Sequence, residues 1–263
     1  SRTNSEELWA QQETLFLRLQ RSCSLSNPWP LPYGDVPILW SSDAVSQICL
    51  PFLRAFEGDF VLGNLSFLNK VPLPLPFAFA IEETSPKASF DNEGSPRLPL
   101  TLFEHGRPQG VACDRWIAGK LKIHPTGHCR RESFEHLPTI GFWNPKIEAL
   151  KKQPDLLSLL DRGIAVRQIS LLRFHPSSSR ITLGFDDVVL IHHGGEGESV
   201  APFHAEFDLV EILASMKLFS SHSATHSFSI SKNKQRFFTR VTAPFAISEG
   251  LSLPGTVPTS YYW

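Results

Sequence analysis

The chain has 263 residues, 41% of them apolar and 19% charged, so it can bury a core and is not a disordered polypeptide. Lys and Arg number 25 against 26 Asp and Glu, a formal charge of -1, which excludes a global basic field for holding nucleic acid. No apolar run of about 18 residues occurs, so nothing in the sequence reads as a membrane span.

Residues 6–21 carry Leu8, Trp9, Leu15, Leu17 and Leu19 between charges and predict a helix. Pro28, Pro30 and Pro32 then forbid one, because each lacks an N–H and clashes with the preceding turn. Residues 35–40 predict a short strand. Ser41, Ser42 and Asp43 are N-cap candidates for a helix whose apolar positions are Val45, Ile48, Phe52, Leu53 and Phe56, kinked at Pro51 and closed by Gly58. A second short helical segment covers 64–70. After Pro72, Pro74 and Pro76, residues 77–82 alternate as a strand. Residues 85–97 read as a loop, and 98–104 as a strand that ends at 105–108. Strand, helix, short helix, strand, strand is the order of a small POTRA-type domain, in which helices and sheet cover each other's apolar faces.

The second half predicts a larger mixed β domain with two or three helices. Residues 137–141 are extended. Asn144 caps and Pro145 starts a helix over 144–161. Strands over 164–174, 180–185 and 188–192 form a meander that turns at Asp186-Asp187. An amphipathic helix follows over 203–218, then strands over 226–230 and 236–241. The fold class is therefore α+β, a POTRA-like β-α-α-β-β unit ahead of a mixed β domain. The expected divisions are an N-terminal helix and linker (1–34), the POTRA-like unit (35–108), the β domain (109–245) and a tail (246–263).

Candidate chemistry is sparse. Cys23, Cys49, Cys113 and Cys129 contain no C-x-x-C and read as separate buried thiols, with a Cys113–Cys129 disulfide as the alternative. His204-Ala205-Glu206 matches half of a zinc-deaminase signature whose cysteine half is missing. On the predicted helix the two side chains would not share a face. His192-His193 at a strand end point opposite ways, which suits a polar loop better than a chelate. His124, His128 and Cys129, with Cys113, could supply a zinc site only as a full tetrahedral set. Asp186-Asp187 reads as a turn, and the basic run 232–236 as a solvated one. No G-x-S-x-G, Walker A or G-x-G-x-x-G occurs. No catalytic residue, metal ligand or cofactor is assigned.

The order of elements resembles the extracytoplasmic part of the FtsQ/DivIB cell-division proteins. The resemblance is carried by Leu100-Thr101-Leu102-Phe103-Glu104 with Arg107-Pro108, by Trp116 with 120–127, by Leu137-Pro138 before Gly141, and by the meander and the last two strands. It implies a non-enzymatic scaffold of the divisome in the cell envelope. The single membrane helix that the family carries ahead of its POTRA unit would place this part on the periplasmic side of the inner membrane. It also implies FtsB/FtsL-like partners. From the residues themselves, the last strand should lie at a sheet edge and accept a partner strand. The expected partner-binding residues are His226, Phe228, Ile230, Arg236, Phe237, Phe238, Arg240 and Val241. The alternatives are a metal-dependent hydrolase using His, Asp and Glu on loops, or another POTRA-bearing envelope assembly or secretion subunit.

Overall fold

A computed structural model describes residues 34–84, 89–174 and 177–253. The predicted helix at 6–21, the proline-rich segment before Gly34, Cys23 and the last ten residues of the expected tail lie outside them.

The chain enters through β1 (Gly34–Asp35) and β2 (Ile38–Trp40) and then forms helix α1 (Ser42–Leu53). Ser41 is the N-cap: its backbone is extended and its hydroxyl accepts the Ala44 N–H at 3.1 Å. Val45, Ile48, Cys49 and Phe52 recur at helical spacing and are all fully buried. Pro51 sits in the last turn, after which the chain tightens into a 3-10 turn, Arg54–Phe56. Gly58 does not end this helix but opens the short α2 (Gly58–Leu62), where a Cβ would stand 2.6 Å from Ile117.

The next strands are β3 (Phe79–Glu83), β4 (Leu100–Glu104) and β5 (Arg107–Pro108), then helix α3 (Arg115–Leu121), capped by Asp114. Short strands β6 (Cys129–Arg130) and β7 (Thr139–Ile140) pair with each other. β8 (Pro145–Ala149) and β9 (Lys152–Gln153) occupy the place of the helix expected at 144–161. The Asn-Pro start suits a helix, but Pro145 to Ala149 alternate buried and half-buried with a period of two, and Ile147 faces the core.

β10 (Arg162–Phe174) and β11 (Arg180–His192) form a long antiparallel pair. Asp186 and Asp187 do not turn the chain: β11 runs through them, with the irregularity absorbed by a register shift opposite Gln168. β12 (Gly195–Val200) and β13 (Phe203–Asp208) both lie along β11. The helix expected over 203–218 is thus mostly strand. Phe203, Ala205 and Phe207 alternate inward, and only α4 (Leu209–Ser215), capped by Asp208, is helical. The long hairpin of β14 (Met216–Lys232) and β15 (Gln235–Ser248) follows, and β16 (Ser252–Leu253) pairs with β1.

One large sheet takes strands from both halves of the chain, in the order β12-β11-β10-β2-β15-β8-β3-β4-β5, with β14 on the other side of β15. β2 runs parallel to β10 and antiparallel to β15, so Ile38 and Trp40 are buried by residues more than a hundred positions later. This overturns the POTRA-like fold class. The strands at 38–40, 79–83 and 100–104 are not a closed three-stranded unit but pieces of the sheet that β8, β10 and β15 complete. The main core correspondingly spans both halves of the chain, with a smaller apolar cluster around Leu156, Leu160, Ile191 and Ile247 apart from it. Phe52, Phe56, Phe77, Phe79 and Phe103 stack and edge against one another at 5.2–6.3 Å, and Phe219 of β14 joins at 5.9 Å.

Candidate functional site

β14 leaves β9 after Ser220. From there to Lys232 it has β15 on one side and, among the described residues, no strand on the other. This is an open backbone edge on a long strand. Period-two alternation turns His226, Phe228, Ile230 and Lys232 to one side of the strand, half-buried, while Thr225, Ser227, Ser229 and Ser231 are exposed.

Along that edge lies a groove of about 650 Å³, bounded by α1, the second half of β10 and the distal ends of β14 and β15. Leu50, Phe174, Phe228 and Ile230 supply apolar wall. At one end Glu57, 5% exposed, is held by Lys232 at 2.7 Å. Lys232 also meets Asp59 at 3.2 Å and donates to the Ile140 carbonyl. Burial pushes the Glu57 carboxyl up, and the neighbouring ammonium pulls it back. Towards the start of α1, His226 Nε2 lies 2.8 Å from the Ser42 hydroxyl, and Nδ1 lies 3.5 Å from Asp43, which tethers β14 to the helix.

Beneath the groove a buried polar cluster gathers around Trp143. The guanidinium groups of Arg97 and Arg130 lie 4.1 and 4.2 Å from its ring. Arg130 donates to the carbonyls of Phe142 and Phe238 and to Thr239, and lies 4.9 Å from the Phe237 ring. Glu83, fully buried, accepts the N–H groups of Trp143 and Asn144 on one oxygen while the other has no hydrogen-bond partner. Burial drives its pKa up to about 7, against the pull of those N–H groups and of both arginines. His128 is buried with Nδ1 on the Thr126 hydroxyl, and burial pushes it down to about 4.

The structure divides the residues expected to bind a partner. His226, Phe228 and Ile230 lie on the groove side of the open edge. Phe237 is 7% exposed beneath Arg130, and Val241 is core. Arg236, Phe238 and Arg240 lie on β15, whose free side is not open. The Arg236 N–H goes to the Glu132 carboxylate, the Phe238 carbonyl to Arg130 and the Arg240 N–H to the Trp143 carbonyl. Farther along, β2 and β8 pair with the same strand. The open edge belongs to β14, not β15. Glu57 and Arg130 were not singled out by sequence, and Lys232 was set aside as part of a solvated turn. Their role depends on contacts between segments far apart in the chain, 92 and 175 residues for the contacts of Lys232 with Ile140 and Glu57.

The candidate metal ligands do not converge. Among the described residues no group of three or more His, Cys, Asp and Glu could hold a metal ion. Cys49, Cys113 and Cys129 are free buried thiols, and burial raises all three. His204 and Glu206 do share a face, because they sit on a strand rather than a helix, but Glu206 pairs with Arg180. His192 approaches Glu198 at 3.7 Å, and His193 pairs with Asp161.

Residues 33–254 match the family described as the PmbA/TldA metallopeptidase C-terminal domain. A curated relative, the metalloprotease TldD homolog of Haemophilus influenzae, is 28% identical over 115 residues, 43% of this chain and 24% of that protein. TldE from Thermococcus kodakarensis superposes with a TM-score of 0.72 at 20% identity over 90% of this chain and 54% of that one. A putative modulator of a DNA gyrase from Thermotoga maritima gives 0.71 at 18% identity, over 89% and 53%. The chain thus spans about half of the solved relatives, and its match covers about a quarter of the curated one. These findings overturn the resemblance to FtsQ/DivIB, and with it the non-enzymatic division scaffold. The inner-membrane placement and the reason for expecting FtsB/FtsL-like partners rested on that resemblance and fall with it. Among the described residues no helix is long and apolar enough to cross a membrane.

Proposed function

Because the chain belongs to the PmbA/TldA metallopeptidase C-terminal domain family, we propose that it supplies the peptide-holding surface of such a peptidase. An extended segment of substrate adds to the open edge of β14, and its alternate side chains enter the groove between α1 and β10. The observation that carries this reading is the edge from Ser221 to Lys232, unpaired among the described residues and running beside a groove of about 650 Å³. Backbone bonds along such an edge give affinity without demanding a particular sequence, and pockets for alternate residues add selectivity. A peptide held extended also has its amide bonds fixed in orientation, and such positioning is what binding contributes to a reaction.

A metal is implied by the family description, but the described donor set does not fit one. No catalytic step is therefore assigned to these residues, and what they contribute is the binding and alignment of the peptide.

The test is binding of a labelled, unstructured peptide, followed by anisotropy, against two N-methylated versions that block alternate backbone N–H groups. Strand addition predicts that one pattern of methylation abolishes binding and the other leaves it nearly intact. Equal binding of all three peptides would refute backbone pairing.

A further inference from the structure

We infer that the groove selects extended peptides whose groove-facing side chains include a carboxylate among apolar residues. This rests on the strand-addition reading and names the substrate class for the same site.

The charges lining the groove are unequal. Arg54, Arg130, Arg173 and Lys232 face it against one carboxylate, Glu57. Lys232 and Glu57 neutralise each other at 2.7 Å, and Asp59, 43% exposed and outside the groove lining, meets the same ammonium at 3.2 Å. Arg130 is buried and occupied by carbonyls. The charges that face solvent from the lining are therefore guanidinium groups. Arg54 is 39% exposed, and Arg173 is exposed on β10. Arg54 lies over the Phe60 ring at 5.0 Å but has no strong polar partner among the described residues. It approaches Glu57 only at 3.9 Å, and its buried Nε has no hydrogen-bond partner.

The walls between these groups are apolar, at Leu50, Phe174, Phe228 and Ile230. A charge beside a low-dielectric wall acts more strongly on a ligand than the same charge on an open surface. A peptide on β14 points every second side chain into the groove, so apolar residues fill it while an acidic residue or a terminal carboxylate meets the guanidinium groups at the rim. A basic peptide meets repulsion there with no exposed acid in the lining to offset it.

Three labelled peptides of equal length, with Glu, Gln or Lys at one groove-facing position and identical apolar residues at the other groove-facing positions, decide the matter by anisotropy. The Glu peptide is expected to bind about tenfold tighter than the Gln peptide at low salt, with the Lys peptide weakest, and the gap should close at about 0.5 M salt. The double variant Arg54→Gln/Arg173→Gln is expected to bind the Glu and Gln peptides alike, losing the preference for Glu. Equal binding of all three, or a Glu preference that survives the double variant, overturns the inference and leaves strand addition standing. Failure of all three to bind removes the strand-addition reading, and the inference with it. Self-association that competes with the peptides would assign the edge to a second copy of the chain and overturn the proposal.

Discussion

Replacing Glu83 with Gln isolates the buried carboxylate under the groove. Burial raises its pKa from 4.5 to about 7. A carboxyl whose folded pKa lies above its unfolded one favours the folded state most when protonated. Its contribution is complete below pH 4.5 and is lost as the pH rises through about 7. The shift corresponds to about 3 kcal/mol between those limits. His128 acts in the opposite sense. Its folded pKa is lowered from 6.5 to about 4, so its contribution is complete above pH 6.5 and is lost as the pH falls through about 4. The two slopes nearly cancel in the unaltered protein between about pH 5 and 6.5, so its stability alone hides the carboxylate. The difference between the unaltered protein and Glu83→Gln removes the His128 contribution, because both carry it. Urea denaturation in steps from pH 4.5 to pH 8 should show the Gln variant gaining about 3 kcal/mol relative to the unaltered protein over that range. A difference constant to within about 0.5 kcal/mol would refute the buried, partly protonated state assigned to Glu83.

Phe103→Ala removes a fully buried ring that meets four other rings, and should cost about 4 kcal/mol in denaturant unfolding with the fold retained. A loss under about 1.5 kcal/mol would mean that the aromatic core is looser than the ring contacts imply. Lys232→Met strands the buried Glu57 carboxylate and should destabilise by about 3 kcal/mol near neutral pH, less in acid, where the carboxyl takes up a proton. Adding Glu57→Gln should restore most of the loss. No recovery in the double variant would show that the ion pair is not what Lys232 contributes.

The elements legible in sequence were those whose own residues set the conformation. Ser41 and the spacing of Val45, Ile48 and Phe52 specify α1 through a cap and a 3.6-residue period. Residues 164–174, 226–230 and 236–241 read as strands, and they are parts of β10, β14 and β15. Reading failed where local signals conflicted. Asn144-Pro145 suits the start of a helix, yet the alternation through Ala149 placed Ile147 in the sheet. The apolar residues over 203–218 fit a helical face, but Phe203, Ala205 and Phe207 were filling one side of a strand before Asp208 capped α4.

By itself the sequence determined that a β-rich core would form and that 164–174, 226–230 and 236–241 would be extended. It could not decide which edge stays open, because edges are defined by pairing. β15 is covered by carbonyl, carboxylate and guanidinium groups from residues 130–143 and by β2 and β8, whereas among the described residues no strand covers β14 past Ser220. Nor could it bring Glu57 to Lys232, or Arg97 and Arg130 to Trp143. Those meetings exist only once strands far apart in the chain lie side by side, where removal from water decides which charges are paired and which remain for a ligand.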